Sequence, residues 1–215
     1  MPGSSFTTGA RNGESILQTR RIPTQQRSRA RLARILGCAE AIIAAGGSDR
    51  MRMAELAEQA GISIGSLYQY FPDKPAIIHA LAARYNAESR RCIVEALATV
   101  NDMDALRRAF AALMSEFYRL VRGGPVIRDI WAGMQADKAL AALQLNESRA
   151  MGAVLEETIA RCRPVEDRES LAISAFLLWD LGEAAVRLAI GADAPTGAKI
   201  IEAYTRMALR EMDAI

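Results

Sequence analysis

At 215 residues, with 51% apolar and 24% charged side chains and a formal net charge of +2, the chain has ordinary globular usage and enough apolar mass for a sizeable core. No run of about 18 apolar residues is present to span a membrane, and the first 25 residues lack the apolar stretch of a secretory signal, so a cytoplasmic protein with no membrane partner is expected. The charge is uneven: residues 1–90 hold 12 Lys+Arg against 7 Asp+Glu, and residues 91–215 hold 15 against 18, which places any polyanion at the first half.

In chain order, residues 1–24 are rich in Gly, Ser and Thr without periodicity and read as a flexible basic tail. Leu32, Ile35, Leu36, Ala39, Ile42 and Ile43 then recur at spacings of three and four until Gly46-Gly47, which predicts a first helix. Met53, Leu56, Ala57 and Ala60 predict a short second helix ended by Gly61. Ile64, Leu67 and Phe71 predict a third, ended before Pro72. Asp73 can cap a fourth helix with Pro75 in its first turn and a stripe of Ile78, Leu81, Tyr85, Cys92 and Ala96.

After Asn101-Asp102 a fifth helix carries Leu106, Phe110, Leu113, Met114, Phe117 and Val121 up to Gly123-Gly124-Pro125. A short sixth carries Ile127, Ile130, Trp131 and Met134, and a long seventh runs from about Lys138 to Arg163. The eighth, from about Asp167 to Ile190, is apolar on almost every side, which implies burial against a second subunit as well as its own core. A ninth begins near Thr196. No period-two strand is evident, so the fold class is all-α with about nine helices.

The cysteines, Cys38, Cys92 and Cys162, are odd in number and lack metal-ligand spacing; they read as small buried hydrophobes, and no cofactor or metal is expected. His79 is the single histidine and lies in an apolar helical stretch, where a structural role is expected. A Ser-His-Asp or Cys-His catalyst would have no other base, so the chain does not read as an enzyme.

Helix three places Ile64, Leu67 and Phe71 on one side and Gly65, Ser66, Gln69 and Tyr70 on the other. Two short helices joined at a glycine, with a polar outer face on the second, describe a helix-turn-helix. Taken alone, the pattern also fits any pair of amphipathic helices. The run AELAEQAGISIGSLYQYFPDKPAII from residue 54 adds specificity: Leu56-Ala57, Ala60-Gly61-Ile62-Ser63, Gly65, Leu67-Tyr68, Tyr70-Phe71 and Lys74 resemble the DNA-binding signature of the TetR family of transcriptional regulators, over roughly residues 27–82.

The resemblance implies a DNA-binding domain at 25–75 and a helical effector-binding and dimerisation domain at 76–215. It also implies a homodimer on a palindromic operator of double-stranded DNA, released by a small-molecule effector, with repression the commoner behaviour. At the matched positions Ser63 can cap helix three beside a phosphate, and Gly65 permits close approach of the backbone. Ser66 and Gln69 are candidate base readers, and Tyr68, Tyr70 and Lys74 can hold phosphates. Two positions depart from the family. Helix two lacks its usual Ser or Thr cap, Arg52 offering a phosphate contact but no cap, and Ile64 stands where lysine is frequent. The arginines at 20, 21, 27, 29, 31 and 34 form either a solvated face or an arm for DNA.

In the second half, Phe110, Met114, Phe117, Tyr118, Trp131, Met134, Met151, Phe176 and Trp179 form either plain core or the wall of an apolar or aromatic effector site, with Gln135, Asn146 or Arg149 orienting a polar part. Asp180 and Glu183 interrupt the apolar helix. An ion pair, either within the helix with Arg187 one turn after Glu183 or across a dimer, is the plainer reading, and a cationic effector the alternative. An all-α enzyme and a helical adaptor that does not bind DNA are the rival functions.

Overall fold

A computed structural model describes the backbone of residues 14–134 and 138–215 and the side chains of residues 26–131 and 138–215. The described residues form nine α-helices: α1 Glu14–Gly46, α2 Met53–Gln59, α3 Ile64–Tyr70, α4 Lys74–Ala98, α5 Met103–Gly123, α6 Pro125–Met134, α7 Lys138–Cys162, α8 Arg168–Ile190 and α9 Ala194–Ala214. A 3-10 turn, Ser48–Arg50, links α1 to α2. The all-α reading and the order of elements hold.

Helix starts follow a common chemistry. Asp73, Asp102, Asp167 and Asp193 each accept a hydrogen bond from the backbone N–H three residues on, at 2.7–2.9 Å, capping α4, α5, α8 and α9. Pro75 and Pro195 sit in first turns, where no N–H is needed. At the other end of α4, Arg161 from α7 donates to the carbonyls of Leu97 and Val100, at 2.7 and 2.9 Å.

Two apolar cores result. The first gathers Ile35, Ile43, Leu56, Leu67, Phe71, Ile77 and Leu81, and it also draws in Val126 and Ile130 from α6 and Leu140 from α7. It therefore continues beyond residue 75. The second gathers Ile93, Leu97, Leu106, Phe110, Met151, Leu155, Leu178 and Ile201 from α4, α5, α7, α8 and α9. α7 and α8 come into close contact at Gly152, where a Cβ would fall 2.7 Å from the Phe176 Cα.

Three expectations need correction. α1 reaches back to Glu14, so residues 14–24 are helical rather than part of a flexible tail; residues 1–13 lie outside the described residues. This stretch has few apolar groups to signal periodicity, and Pro23 within it reads as a helix breaker. Along α4 the buried residues are Ile77, Leu81, Ala82, Ile93 and Leu97, whereas Ile78 is half-buried and Cys92 and Ala96 are exposed. The helix passes from one core to the other over twelve residues, which turns its buried face by about a third of a revolution. Cys92 is accordingly exposed and Cys38 and Cys162 are half-buried, so the three thiols are not uniformly core.

α8 is apolar on two sides, and only one of them meets the chain's own core. Leu171, Ala175, Leu178, Gly182, Val186 and Ala189 are buried, but Ile173, Leu177, Leu181 and Leu188 form an exposed apolar stripe along the opposite side, Leu188 at 69%. Within one protomer the helix is therefore not buried all round. Met207 of α9 is also exposed. No helix among the described residues is long and apolar enough to cross a membrane.

Candidate DNA-binding surface and ligand cavity

The turn between α2 and α3 is built by backbone chemistry. Gly61 takes φ +62°, a left-handed conformation that glycine adopts without penalty, while the Gly61 N–H bonds the Glu58 carbonyl and the Ile62 N–H bonds the Ala57 carbonyl, both at 3.0 Å. This double closure ends α2 and redirects the chain. Ser63 then caps α3: its Oγ accepts from the Ser66 N–H at 3.1 Å and donates to the Ser66 Oγ at 2.9 Å. Arg52 stands at the start of α2, exposed and without a side-chain cap bond, as the missing Ser or Thr leads one to expect.

Leu67 is fully buried and Phe71 nearly so, and these two anchor α3. Ile64, Gly65, Tyr68 and Gln69 are exposed on its outer side, and Ser66 is half-buried. The sequence pattern grouped Ile64 with the core side of the helix; at 43% exposure it faces outward instead. Tyr70, grouped with the outer face, is half-buried and packs against the first core. The reason is the shortness of α3, whose seven residues supply one full anchor, Leu67, with Phe71 at the C-cap as the second. A Cβ built at Gly65 meets nothing within 4 Å, so nothing inside the protein requires glycine there.

Lys74 has a role that sequence reasoning missed. Its Nζ donates to the carbonyls of Ser48 (3.1 Å) and Asp49 (3.4 Å), tying the start of α4 to the 3-10 turn. The same turn is held from α6, where the Asp129 carboxylate accepts from the Ser48 N–H at 2.7 Å. Arg27, Arg29, Arg31 and Arg34 are all exposed on α1, along a stretch from 26 to 34 with no buried residue. The side chains of Arg20 and Arg21 lie outside the described residues.

A cavity of about 430 Å³ opens among α4, α5, α6, α7 and α8. Phe110, Met114, Phe117, Trp131, Met151 and Trp179 line it, with Phe117 and Trp131 edge to face at 5.4 Å. Asn146 and Arg149 are exposed and do not line it, and Phe176, packed on Gly152, does not either. Tyr118 is half-buried and likewise off the wall. The Met134 side chain and Gln135 lie outside the described residues.

The polar wall combines Glu183, singled out in the sequence, with Arg90, Gln144 and Glu147, which were not. Glu147 is buried and takes a two-pronged ion pair from Arg90, whose Nε lies 2.9 Å from Oε1. Glu183 is buried and accepts from Gln144 Nε2 at 2.6 Å, in place of the intrahelical Arg187 pair the spacing suggested. Burial, reinforced by Asp180 and opposed by the Gln144 bond and Arg187, pushes its carboxyl up to about 7. Tyr85 lines the cavity while its hydroxyl donates to Glu40 of α1 at 2.6 Å, which with burial pushes that phenol up to about 12. A signal for Gln144 and Glu147 did exist: 140, 144, 147, 151 and 155 follow helical spacing, and Leu140, Met151 and Leu155 are buried.

Two family models match this arrangement. Residues 35–81, spanning α2 and α3, match bacterial regulatory proteins of the tetR family, and residues 104–214 match the tetracyclin repressor-like C-terminal domain. The chain belongs to the TetR family of transcriptional regulators. Among relatives, it is 26% identical over 151 residues to the HTH-type transcriptional repressor KstR of Rhodococcus jostii strain RHA1, covering 69% of each chain. It is 38% identical over 63 residues to KstR of Mycolicibacterium smegmatis, covering 29% of each. In fold it resembles a TetR-family transcriptional regulator from Streptomyces coelicolor with a TM-score of 0.68 at 23% identity, covering 87% of this chain and 98% of that one. In this TetR-family regulator α2 and α3 are thus the helix-turn-helix.

Proposed function

We propose that this regulator is a repressor that binds a palindromic operator as a homodimer and releases it when a small apolar or aromatic molecule fills the cavity. The observation that carries the DNA half is the outer face of α3, where Ile64, Gly65, Tyr68 and Gln69 project outward while Leu67 and Phe71 anchor the helix. Gln69 and the half-buried Ser66 read base edges, Gly65 lets the backbone approach, and Ile64 makes apolar contact. Ser63, Tyr68, Tyr70, Arg52 and Lys74 meet phosphates, Lys74 with whatever donor capacity its two carbonyl bonds leave. Exposed arginines along α1 extend that contact.

Dimerisation through the α8 stripe of Ile173, Leu177, Leu181 and Leu188, with Met207 beside it, accounts for apolar side chains that one protomer leaves in water. Two α3 helices then meet half-sites about 34–36 Å apart or a multiple of that. The named repressors among the relatives support the sign of regulation. For the effector, α6 supports coupling: Ile127 and Trp131 line the cavity, Val126 and Ile130 lie in the first core, and Asp129 holds the turn before α2. An effector that favours a different α6 position changes the spacing of the recognition helices, with a coupling on the order of 1–3 kcal/mol.

Selection of bound sequences from random duplexes tests the reading. Enrichment of a palindrome with two half-sites is expected; enrichment of no sequence at all rejects it.

A further inference from the structure

The charges around the cavity specify more than its apolar walls do. Arg90 is the one cationic side chain in the described wall, and both prongs of its guanidinium engage Glu147. Glu116 at the rim is engaged by Arg119, with Nε at 2.8 Å. Glu183 is held by two neutral donors, the Gln144 amide and the Trp179 indole N–H, and is 6% exposed. An anionic ligand would meet no free cation here and would face a buried carboxyl group. A cation meets a buried carboxylate that Arg187 on the same helix offsets only in part, in a cavity whose wall also holds the aromatic side chains of Phe110, Phe117, Trp131 and Trp179.

We infer that the effector of this regulator is a lipophilic monocation, an aromatic or aliphatic ammonium whose positive group is received by Glu183 while its apolar part lies against Trp131, Trp179 and Phe117. The inference rests on the cavity being the effector site. Of the titratable groups around Glu183, Asp180 and Arg187 on α8 itself act on it directly; Glu147 on α7, Glu116 on α5 and Glu88 and Arg90 on α4 line the same cavity, and Tyr204 on α9 donates its hydroxyl to the Leu178 carbonyl. Of these only Arg187 opposes the uptake of a cation and is not itself held in an ion pair. The ligand therefore brings a charge of opposite sign to a buried carboxylate. Because the Glu183 carboxyl titrates at about 7, uptake of a permanent cation also requires expulsion of its proton below that pH.

The test is calorimetric titration of the full chain with three probes of one shape class: naphthylmethyl-trimethylammonium, neutral naphthylmethanol and anionic naphthylacetate. The cation is expected to bind at least tenfold more tightly than the alcohol, and the carboxylate more weakly than either. Cation affinity should fall severalfold from pH 8 to pH 6, although the probe itself does not titrate. In Glu183→Gln, which keeps the shape and an acceptor for Gln144, the advantage of the cation should vanish while alcohol affinity stays within about threefold. The pH profile of the unmodified protein gives the same information without any variant. Alcohol binding with no cation preference, or a preference that survives Glu183→Gln, overturns the inference and leaves the cavity as an effector site. Failure of all three probes to bind overturns both.

Discussion

Gly65→Ala separates a residue kept for DNA from one kept for the fold. In α3 a Cβ at this position meets nothing within 4 Å, and Gly65 is not among the described residues with positive φ, so alanine fits the free protein without strain. Alanine in a helix is favoured over glycine by roughly 0.5–1 kcal/mol, which for a chain of this size raises Tm by up to about 2–4 °C. On DNA the same methyl group stands between the backbone and the duplex, and operator affinity should fall by tenfold or more, about 1.4 kcal/mol. Thermal melting without DNA, followed by anisotropy titration of a labelled operator, measures both. A raised Tm with unchanged operator affinity refutes the close approach at Gly65; a lowered Tm refutes the reading of open space. Gly61→Ala is the contrast. Its Cβ is equally unobstructed, but φ +62° carries a penalty of about 1–2 kcal/mol for an L side chain, so here stability must fall.

Other outcomes follow from the same surfaces. Gln69→Ala should relax discrimination at one base position of each half-site by about 1–3 kcal/mol and leave the salt dependence of binding as it was, which a repeated selection with salt titration checks. Lys74→Met should cost about 1 kcal/mol of stability in the absence of DNA, since two backbone carbonyls lose a charged donor, and should reduce the salt slope by about one if the ammonium also meets a phosphate. Removing residues 1–24 should lower the magnitude of the salt slope of operator binding; an unchanged slope limits the arm to a solvated segment. For Glu183 the sign is set by a folded value of about 7 against an ordinary 4.5: between these the native state holds the extra proton, so stability is lost as pH rises through 7. Denaturant unfolding of Glu183→Gln and the parent should therefore show a gap that opens from pH 5 to pH 8 toward roughly 3 kcal/mol, and a gap independent of pH contradicts the buried-charge account.

The parts of the molecule most legible in the sequence are those set by local chemistry. The α2–α3 turn needs a left-handed residue at 61, an N-cap at 63 and anchors at 67 and 71, and each requirement selects a narrow residue type at a fixed spacing. The cavity is different because its polar wall is assembled from four helices. Asn146 and Gln144 are equivalent in composition and two residues apart, yet one is exposed and the other meets Glu183. Choosing between them requires the helical phase set by Met151 and Leu155, and choosing Gln144 as the partner of Glu183 requires knowing that α7 lies against α8. Lys74 illustrates the same limit from the other side. Its match to a family motif pointed outward to phosphate, and nothing in the local pattern indicated the two carbonyls 25 and 26 residues earlier that it holds.

Long-range assembly also explains why the boundary between the two halves is the least legible feature. A boundary at residue 75 follows from the motif, but α4 contributes Ile77 and Leu81 to one core and Ile93 and Leu97 to the other. α6 does the same within ten residues, with Val126 and Ile130 on one face toward the first core and Ile127 and Trp131 on the adjacent face, about 100° round, toward the cavity. A helix shared by two packed cores cannot shift against one without disturbing the other, because close-packed interiors leave no slack to absorb the movement. Filling the cavity against Ile127 and Trp131 must then either be resisted by the first core or be transmitted to it, along with the Asp129 contact to the Ser48 N–H. The feature that defeats a clean division into domains is thus the one that allows a ligand at one end to bias a DNA-reading helix at the other.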